Sequence, residues 1–530
     1  MRVKFRRQAL FIVSMWAAFF ISLIIVSFRG KQDINYDQIN YHYYVSYALM
    51  HWRYWQDIAP AQIVHTYLNP LVYVPWYAAT TLVGPKFATV LQCALQSTAI
   101  FPLIGVVRIL FPGTNASRPL ARILTILLAL ASPMLWSEAG TSFADAALAT
   151  PILASLYFSL KWLRFGDVRN LILSGLSLGV AAGLKLTCGI YEPGLLLIGA
   201  KPFVRGRMPF RTLAAQPMAF MTGLIASSGW LFVLCSLKFG NPVFPYFNSI
   251  FYATEGASRS YRDTAYVPHS LLTALSFPFR WARGGSITSE LFFRDIRPLI
   301  ALALICALAV RIIASRLPVR RRQSENIEPP DLLINVIAFF LISLAVWMGA
   351  FSIQRYFLPG EIISGVIIGA CLDRLLSPRF SVVLLIVIEV GSFASLRTSD
   401  WGHTNWLRTT YDVTIPTQFQ DTTMVFIAGE PFAFVGAFFS PAATLVGMTD
   451  WDNRDPSQNS PFTRQIRAGL AAAGAKPAVV SAGPPSRTAL SVLSAYGLEL
   501  TQQCEKLGGV HRDAQLQICA LSKGDASTAR

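Results

Sequence analysis

Charge is scarce in this sequence. Asp, Glu, Lys and Arg make up 14% of the 530 residues, against about 25% in an ordinary soluble domain. With 53% of the residues hydrophobic, the chain lacks the polar surface a soluble protein of this length needs. It also lacks the short alternating segments of an outer-membrane barrel. Several apolar runs reach the roughly 20 residues that cross a bilayer, so the sequence reads as an all-α polytopic membrane protein. No H-E-x-x-H or paired C-x-x-C is present, and no P-loop or G-x-G-x-x-G opens a cytoplasmic domain. No nucleotide is expected, and neither is ATP-driven transport. The first apolar run, 9–28, is longer than a signal-peptide core and is followed by no small-residue cleavage site. It is expected to stay as a helix.

Acidic residues are scarcer than basic ones, 28 against 45, for a net charge of +17. Many of the basic residues stand in short loops between apolar runs, as the positive-inside rule requires. Membrane orientation therefore accounts for the charge, and nucleic acid is not expected as a partner. The N-terminus MRVKFRR and the loop RLPVRRRQ are the strongest cytoplasmic marks. Placing the basic loops inside gives about eleven transmembrane helices: 9–28, 86–110, 119–136, 143–163, two short spans within 170–200, 217–237, 296–315, 332–352, 356–376 and 380–397. Segments 29–85 and 238–295 become large outer loops. The proline-broken run LNPLVYVPWYAATTLVG is expected to lie against the membrane without crossing it. All six histidines (His42, His51, His65, His269, His403 and His511) then map to the outer side.

Residues 1–397 thus form the membrane domain. The tail, 398–530, reads as a small α/β domain on the outer side. TMVFIAG and PAVVSAG are short apolar runs closed by glycine and read as strands. FTRQIRAGLAAAG has helical spacing. Of seven cysteines, five (Cys93, Cys188, Cys235, Cys306 and Cys371) fall in apolar runs as small packing residues. Cys504 and Cys519 stand in the tail, at a spacing that suits a disulfide across a hairpin in an oxidising compartment.

The outer segments carry the chemistry. The stretch DQINYHYYVSYALMHWRYWQD, Asp37 to Asp57, holds two acids, two histidines, two tryptophans and five tyrosines just beyond the first span. An aromatic interfacial belt explains the tyrosines. It does not explain Asp37, Asn40, His42 and Asp57, because acids beside lipid are costly to place. A helix here would put Asp37, Tyr41, Tyr44 and Ala48 on one face. A second acidic pair, Glu138 and Asp145, stands in SEAGTSFAD; Asp145 also suits a helix N-terminus, with Thr141 or Ser142 as the cap. Converging carboxylates can act as a base or hold a divalent metal, with Asp37 and Asp145 as its ligands and His42 and His65 as further candidates. Lys185, in GLKLT, can hold a phosphate or simply snorkel to the interface. Arg355, in SIQRYFLPGE, can bind phosphate or pair with Glu361. Arg262, Asp263 and His269 add polar groups in the second outer loop, beside the shaped turn FGNPVFPYFNSIF.

The motifs DQINYHYY, DIAPAQIVHTYLNPL, SEAGTSFAD, GLKLT, FGNPVFPYFN and RYFLPGE resemble the GT-C glycosyltransferase superfamily. That superfamily includes protein O-mannosyltransferases, the lipid A aminoarabinose transferase, and bacterial membrane proteins known as glycosyltransferase-like. The resemblance runs over nearly the whole membrane region and adds little in the tail. It implies a bacterial inner-membrane enzyme that takes a sugar from a polyprenyl-phosphate donor and passes it to a glycan, lipid or protein acceptor on the periplasmic face. By position, Asp37 matches the catalytic base or metal ligand of the first loop, and Glu138 and Asp145 match the second acidic motif. Lys185 and Arg355 are candidates for the donor phosphate, and Asn40, Tyr41, His42 and Arg262 for other substrate contacts. Asp37 stands in Asp-Gln-Ile-Asn and not in a doubled acidic pair, so metal use stays open. The rival reading is a lipid or sugar transporter, which favours ionisable groups at mid-membrane on broken helices; Glu389, inside the last span, is the residue that suits it. A third reading is a scaffold whose tail binds an envelope partner. The topology predicts that a cysteine introduced as Ser527→Cys resists an impermeant thiol reagent applied from the cytoplasmic side; labelling from that side would invert the assignment.

Overall fold

The computed structural model describes residues 2–112, 118–204, 209–256, 260–316, 331–449, 454–508 and 515–523. The basic loop beyond Arg316, together with His511 and Ser527, lies outside them. The chain divides into two compact units: residues 1–30, 92–227 and 263–401, and residues 31–91, 228–262 and 402–530. The first and much of the second expected outer loop therefore belong to the same unit as the tail.

Among the described residues, twelve helices carry the apolar runs: α1 (Arg2–Gly30), α2 (Pro85–Ser97), α3 (Ile100–Leu110), α4 (Arg118–Leu130), α5 (Asp145–Phe165), α6 (Val168–Leu184), α7 (Glu192–Val204), α8 (Phe210–Phe239), α9 (Arg297–Arg316), α10 (Asp331–Ala350), α11 (Leu358–Leu375) and α12 (Pro378–Ser395). Among the described residues eight helical segments are long and apolar enough to cross a membrane, and the chain is a multi-pass membrane protein. The other three of the expected eleven are shorter. Two are the apolar helices Val168–Leu184 and Leu186–Ala200. The third, expected over 119–136, stops at Leu130 because Ser132 caps a new short helix, Pro133–Ser137, whose proline occupies the first turn. That break sets the position of Glu138.

The first unit is built around α11. The span Gln354–Leu375 is 89% buried, whereas those at the start of α9 and in α12 are 17% and 22% buried. Two surface helices thus present apolar side chains outward, as lipid-facing helices do, around one core helix. Between α6 and α8 the backbones touch. A Cβ at Gly175 or Gly179 would collide with the carbonyls of Gln216 or Phe220, so only glycine permits this crossing, the usual device for helix association in lipid. α6 ends at Leu184, and the extended backbone of Lys185 (φ −148°, ψ 106°) turns the chain before α7.

The second unit holds a five-stranded sheet of β1 (Met424–Ala428), β2 (Thr444–Met448), β3 (Pro477–Ala482), β4 (Leu498–Lys506) and β5 (Leu516–Lys523), in the order β2-β1-β3-β5-β4. β1 runs parallel to β2 and β3; β5 is antiparallel to β3 and β4. Every residue of β1 is buried. Helix Pro461–Ala471 begins at a Ser460–Thr463 capping box. β2 and helix Arg487–Ala495 were not anticipated. Cys504 and Cys519 face one another across β4 and β5 and form a disulfide.

The residues after the first span fasten onto this sheet. Ile58 bridges to β2, its N–H donating to Leu445 O (2.8 Å) and its carbonyl accepting from Gly447 N (2.9 Å). Gly447 is required there, because a Cβ would strike the Ala59 carbonyl. Arg53 and Asp57, each 2% exposed, form a two-pronged ion pair at 2.6 and 2.7 Å. Asp57 also accepts from Tyr44 Oη (2.8 Å) and Leu445 N (3.0 Å), while Arg53 donates to the carbonyls of Pro441 and Ala443. Burial raises the Asp57 carboxyl above its ordinary range, and Arg53 opposes the rise. Asp57 is thus accounted for as the buried anchor of the loop.

Gly179→Leu is expected to lower the melting temperature of the detergent-solubilised protein, consistent with about 1–3 kcal/mol of overpacking. Gly391→Leu, at a position whose Cβ would meet open space, serves as the control. Equal melting of the two variants would rule out the α6–α8 contact as a determinant.

Candidate functional site

In the first unit, four of the sequence-predicted residues come together at the ends of helices. The turn that carries Glu138 is fixed by Gln96 of α2, whose Nε2 donates to Glu138 O (3.0 Å) and whose Oε1 accepts from Gly140 N (2.9 Å). Thr141 Oγ1 donates to Glu138 O (2.8 Å). Thr141 is therefore tied into the turn, and α5 starts after Ala144 without a side-chain cap. Asp145 occupies the first turn of α5. Its two carboxylate oxygens accept from Lys185 Nζ at 2.6 and 2.7 Å. Lys185 arrives there because α6 stops one residue earlier, and its ammonium also lies 4.7 Å from the centroid of the Tyr356 ring.

Glu138 is fully buried. Its Oε2 accepts from Ala146 N (3.0 Å), and Oε1 has no hydrogen-bond partner. Burial first, and then the neighbouring Asp145, push its carboxyl well above the ordinary glutamate range, against the opposing pull of Arg355 and Lys185. Arg355 stands in the short turn Gln354–Phe357 before α11. Its guanidinium carbon lies 4.3 Å from the centroid of Phe143 and 5.2 Å from that of Trp401. These two rings meet edge to face at 5.2 Å, and Trp401 Nε1 donates to Ser137 Oγ (3.2 Å). The guanidinium of Arg355 thus lies over both rings, a favourable cation–π arrangement. Glu361, weighed as a partner for Arg355, instead accepts from Ser132 Oγ (2.5 Å) and Gln354 Nε2 (2.7 Å). The cluster thus brings the carboxyls of Glu138 and Asp145 together with the cations Lys185 and Arg355.

In the second unit, Asp37 is half-buried and its Oδ2 accepts from Tyr41 Oη (3.1 Å). The Tyr41 ring stacks on His65 at 4.6 Å, His42 stacks on Tyr73 at 4.0 Å, and Asn40 Nδ2 lies 3.3 Å from His65 Nδ1. The backbone over Gln38–His42 is a π-turn leading into the helix Tyr43–Met50. The extra residue in that turn shifts the helical phase, so the expected single face divides: Tyr41 reaches Asp37, while Tyr44 reaches Asp57. Arg262 is exposed in this unit. Phe143, Tyr356, Trp401 and Tyr73 were not singled out from the sequence. Their role comes from which charge or ring they meet, and no local pattern carries that.

The donor set of the first-unit cluster does not fit a divalent cation. Both oxygens of Asp145 accept from the Lys185 ammonium, whose positive charge opposes a second cation there, and Glu138 Oε2 accepts from Ala146 N. Among the described residues no group of three or more His, Cys, Asp or Glu side chains stands in metal-binding proximity.

No family model matches the chain, and no curated protein does. Among solved structures it is similar to ArnT from Cupriavidus metallidurans bound to undecaprenyl phosphate, at 15% identity and a TM-score of 0.55, over 96% of this chain and 97% of that one. The chain shares the fold of that ArnT. Weaker likenesses are to the apo form of the same ArnT (14% identity, TM-score 0.43, 96% and 98% of the two chains) and to the apo oligosaccharyltransferase of Archaeoglobus fulgidus (13% identity, TM-score 0.41, 88% and 69%). The GT-C resemblance drawn from the outer-loop motifs is borne out at the level of fold.

Because the folded state holds the Glu138 proton more tightly than the unfolded chain, stability declines as pH rises above the ordinary glutamate range toward the raised native value. Glu138→Gln is expected to flatten that decline in melting temperature while leaving acid stability unchanged. Parallel pH profiles for variant and wild type would show that Glu138 is ionised in the native state.

Proposed function

We propose that the protein is a membrane glycosyltransferase that takes a sugar from a polyprenyl-phosphate donor and passes it to a hydroxyl-bearing acceptor on the periplasmic face. What supports this reading is the buried cluster of Lys185, Asp145, Arg355 and Glu138 in a chain that shares the fold of ArnT. In the reaction, the bond from the sugar's anomeric carbon to the phosphate oxygen breaks, and a bond to the acceptor oxygen forms. The polyprenyl phosphate departs with the extra negative charge, which Arg355 and Lys185 stabilise; charge developing in a site of low polarity is where such groups act most strongly. Burial favours the protonated form of Glu138, and in that form it donates a hydrogen bond to the departing phosphate. Asp37 takes the acceptor's proton, with Tyr41 and Asn40 orienting it. Asn40, Tyr41 and His42, with their stacked partners His65 and Tyr73, supply sugar platforms. Arg262 is a further contact for donor or acceptor. The tail domain lies on the periplasmic side of the inner membrane. No step is assigned to a divalent metal.

One observation favours transport instead: Glu389, in the middle of α12, is 8% exposed and neither carboxylate oxygen has a hydrogen-bond partner. The deciding experiment uses purified protein in lipid with labelled polyprenyl-phosphate sugars, with and without chelator. Wild type is expected to release or transfer sugar equally in both conditions. Asp37→Asn is expected to lose about 100-fold or more in rate, the scale of a removed general base. Lys185→Ala is expected to weaken donor use. Flux of intact lipid-linked sugar across the bilayer without cleavage would select the transport reading, and equal turnover by Asp37→Asn would remove that residue from the chemistry.

A further inference from the structure

The acid Glu138 and the cation Arg355 stand on separate segments, and one buried carboxylate holds both segments in place. Glu361, in the first turn of α11, is fully buried. Its Oε2 accepts from Ser132 Oγ at 2.5 Å, and Ser132 Oγ in turn accepts from Leu135 N (3.1 Å) as the cap of the short helix that ends at Glu138. Its Oε1 accepts from Gln354 Nε2 at 2.7 Å. Gln354 opens the turn that carries Arg355 and Tyr356, and that turn is further tied by Thr288: Thr288 Oγ1 donates to Gln354 Oε1 (2.9 Å), and Gln354 N donates to Thr288 O (2.8 Å). Tyr191 Oη donates to Tyr356 O (3.0 Å) and secures its far side. Behind Glu361 stands Arg297, also fully buried, 3.7 Å from Oε2. Arg297 is itself held by Asp295 and by the carbonyls of Leu128 and Ala129, the residues just before the Ser132 break.

We propose that Glu361 is a positioning residue for lipid-phosphate recognition, setting the place of Arg355 through Gln354 and of Glu138 through Ser132. This rests on the phosphate reading above and deepens it. A simple packing role would need one contact, and a charge-balancing role would need only Arg297. Here each oxygen of one carboxylate is assigned to a different segment, and each segment carries a different group of the cluster. Gln354 also accepts from Thr288 Oγ1 and Ser132 from Leu135 N, so each partner of Glu361 is itself tied at a second point. A carboxylate accepting two such bonds is a stiffer tie than neutral pairs would make.

The test titrates the full-length protein in nanodiscs with undecaprenyl phosphate and with undecaprenol, which lacks the phosphate, and records the melting temperature of each variant. Wild type is expected to prefer the phosphate. Gln354→Glu sets two carboxylates against each other and is expected to reduce that preference about tenfold, the effect of about one charge-assisted hydrogen bond. Adding Glu361→Gln to Gln354→Glu rebuilds the amide–carboxylate bond with its partners exchanged, and is expected to bring the preference back to within about threefold of wild type. Thr288→Val, which removes one tie without adding charge, is expected to act in the same direction and keeps the test open if Gln354→Glu does not fold. Preference unchanged in folded Gln354→Glu or in Thr288→Val overturns the assignment of Glu361, as does a double variant that regains wild-type melting without regaining preference. A wild type that binds undecaprenol as well as the phosphate overturns the phosphate reading, and the role of Glu361 falls with it.

Discussion

A charge in or beside a bilayer is costly unless its compensation is within reach, and this constraint governs both units. Lys185 does not snorkel to open water; it stands on both oxygens of Asp145. Arg297 is fully buried, yet it faces one carboxylate at 2.5 Å and a second at 3.7 Å and also donates to two backbone carbonyls. Burial first, and then Asp145, push the Glu138 carboxyl upward against the pull of Arg355 and Lys185. Where a counter-ion is absent, a carboxyl is expected to give up its charge, and where one is present the pair becomes a fixed point to which neighbouring segments attach.

These fixed points coincide with the places where helices stop. α4 ends at the Ser132 cap, α6 ends one residue before Lys185, and α11 begins just after the turn that carries Arg355. Each break leaves backbone groups without helical partners, and buried side chains meet them: Gln96 on the Glu138 turn, Tyr191 on the Tyr356 carbonyl, and Thr288 on Gln354. The chemistry-bearing residues sit where regular structure fails, which gives them reach, and the side-chain hydrogen bonds restore the rigidity that the helix no longer supplies. The glycine crossing of α6 against α8 serves the same end, because the position of Lys185 depends on where α6 lies.

The second unit uses the same means on its own sheet. The residues following the first span add a bridge to β2 and bury the Arg53–Asp57 pair against the β2 strand and the carbonyls before it. Two acids in the opening stretch thus have different fates. Asp57 is committed to structure by four hydrogen bonds, whereas Asp37 stays half-exposed among Tyr41, His65 and Asn40. Sequence position alone does not separate them, since both follow the first span in similarly aromatic surroundings.

Much was legible in the residues themselves. Apolar runs and loop charges specify a polytopic helical protein, because the bilayer demands about 20 apolar residues per full crossing and basic loops resist translocation. Strands β1 and β3, the helix Pro461–Ala471 and the Cys504–Cys519 hairpin follow from local patterns, since period, caps and turns act over a few residues. The outer-loop motifs pointed to the GT-C fold that the structure has. Other features depended on distant partners. The break at Ser132 and the π-turn at Gln38–His42 reflect contacts and spacing that no window of sequence holds. The partner of Lys185 lies 40 positions away in the chain, and Glu361 turned from Arg355 toward Ser132 and Arg297. Helix formation is decided by neighbours in sequence, but the pairing of buried charges is decided by neighbours in space, and only the tertiary structure supplies those.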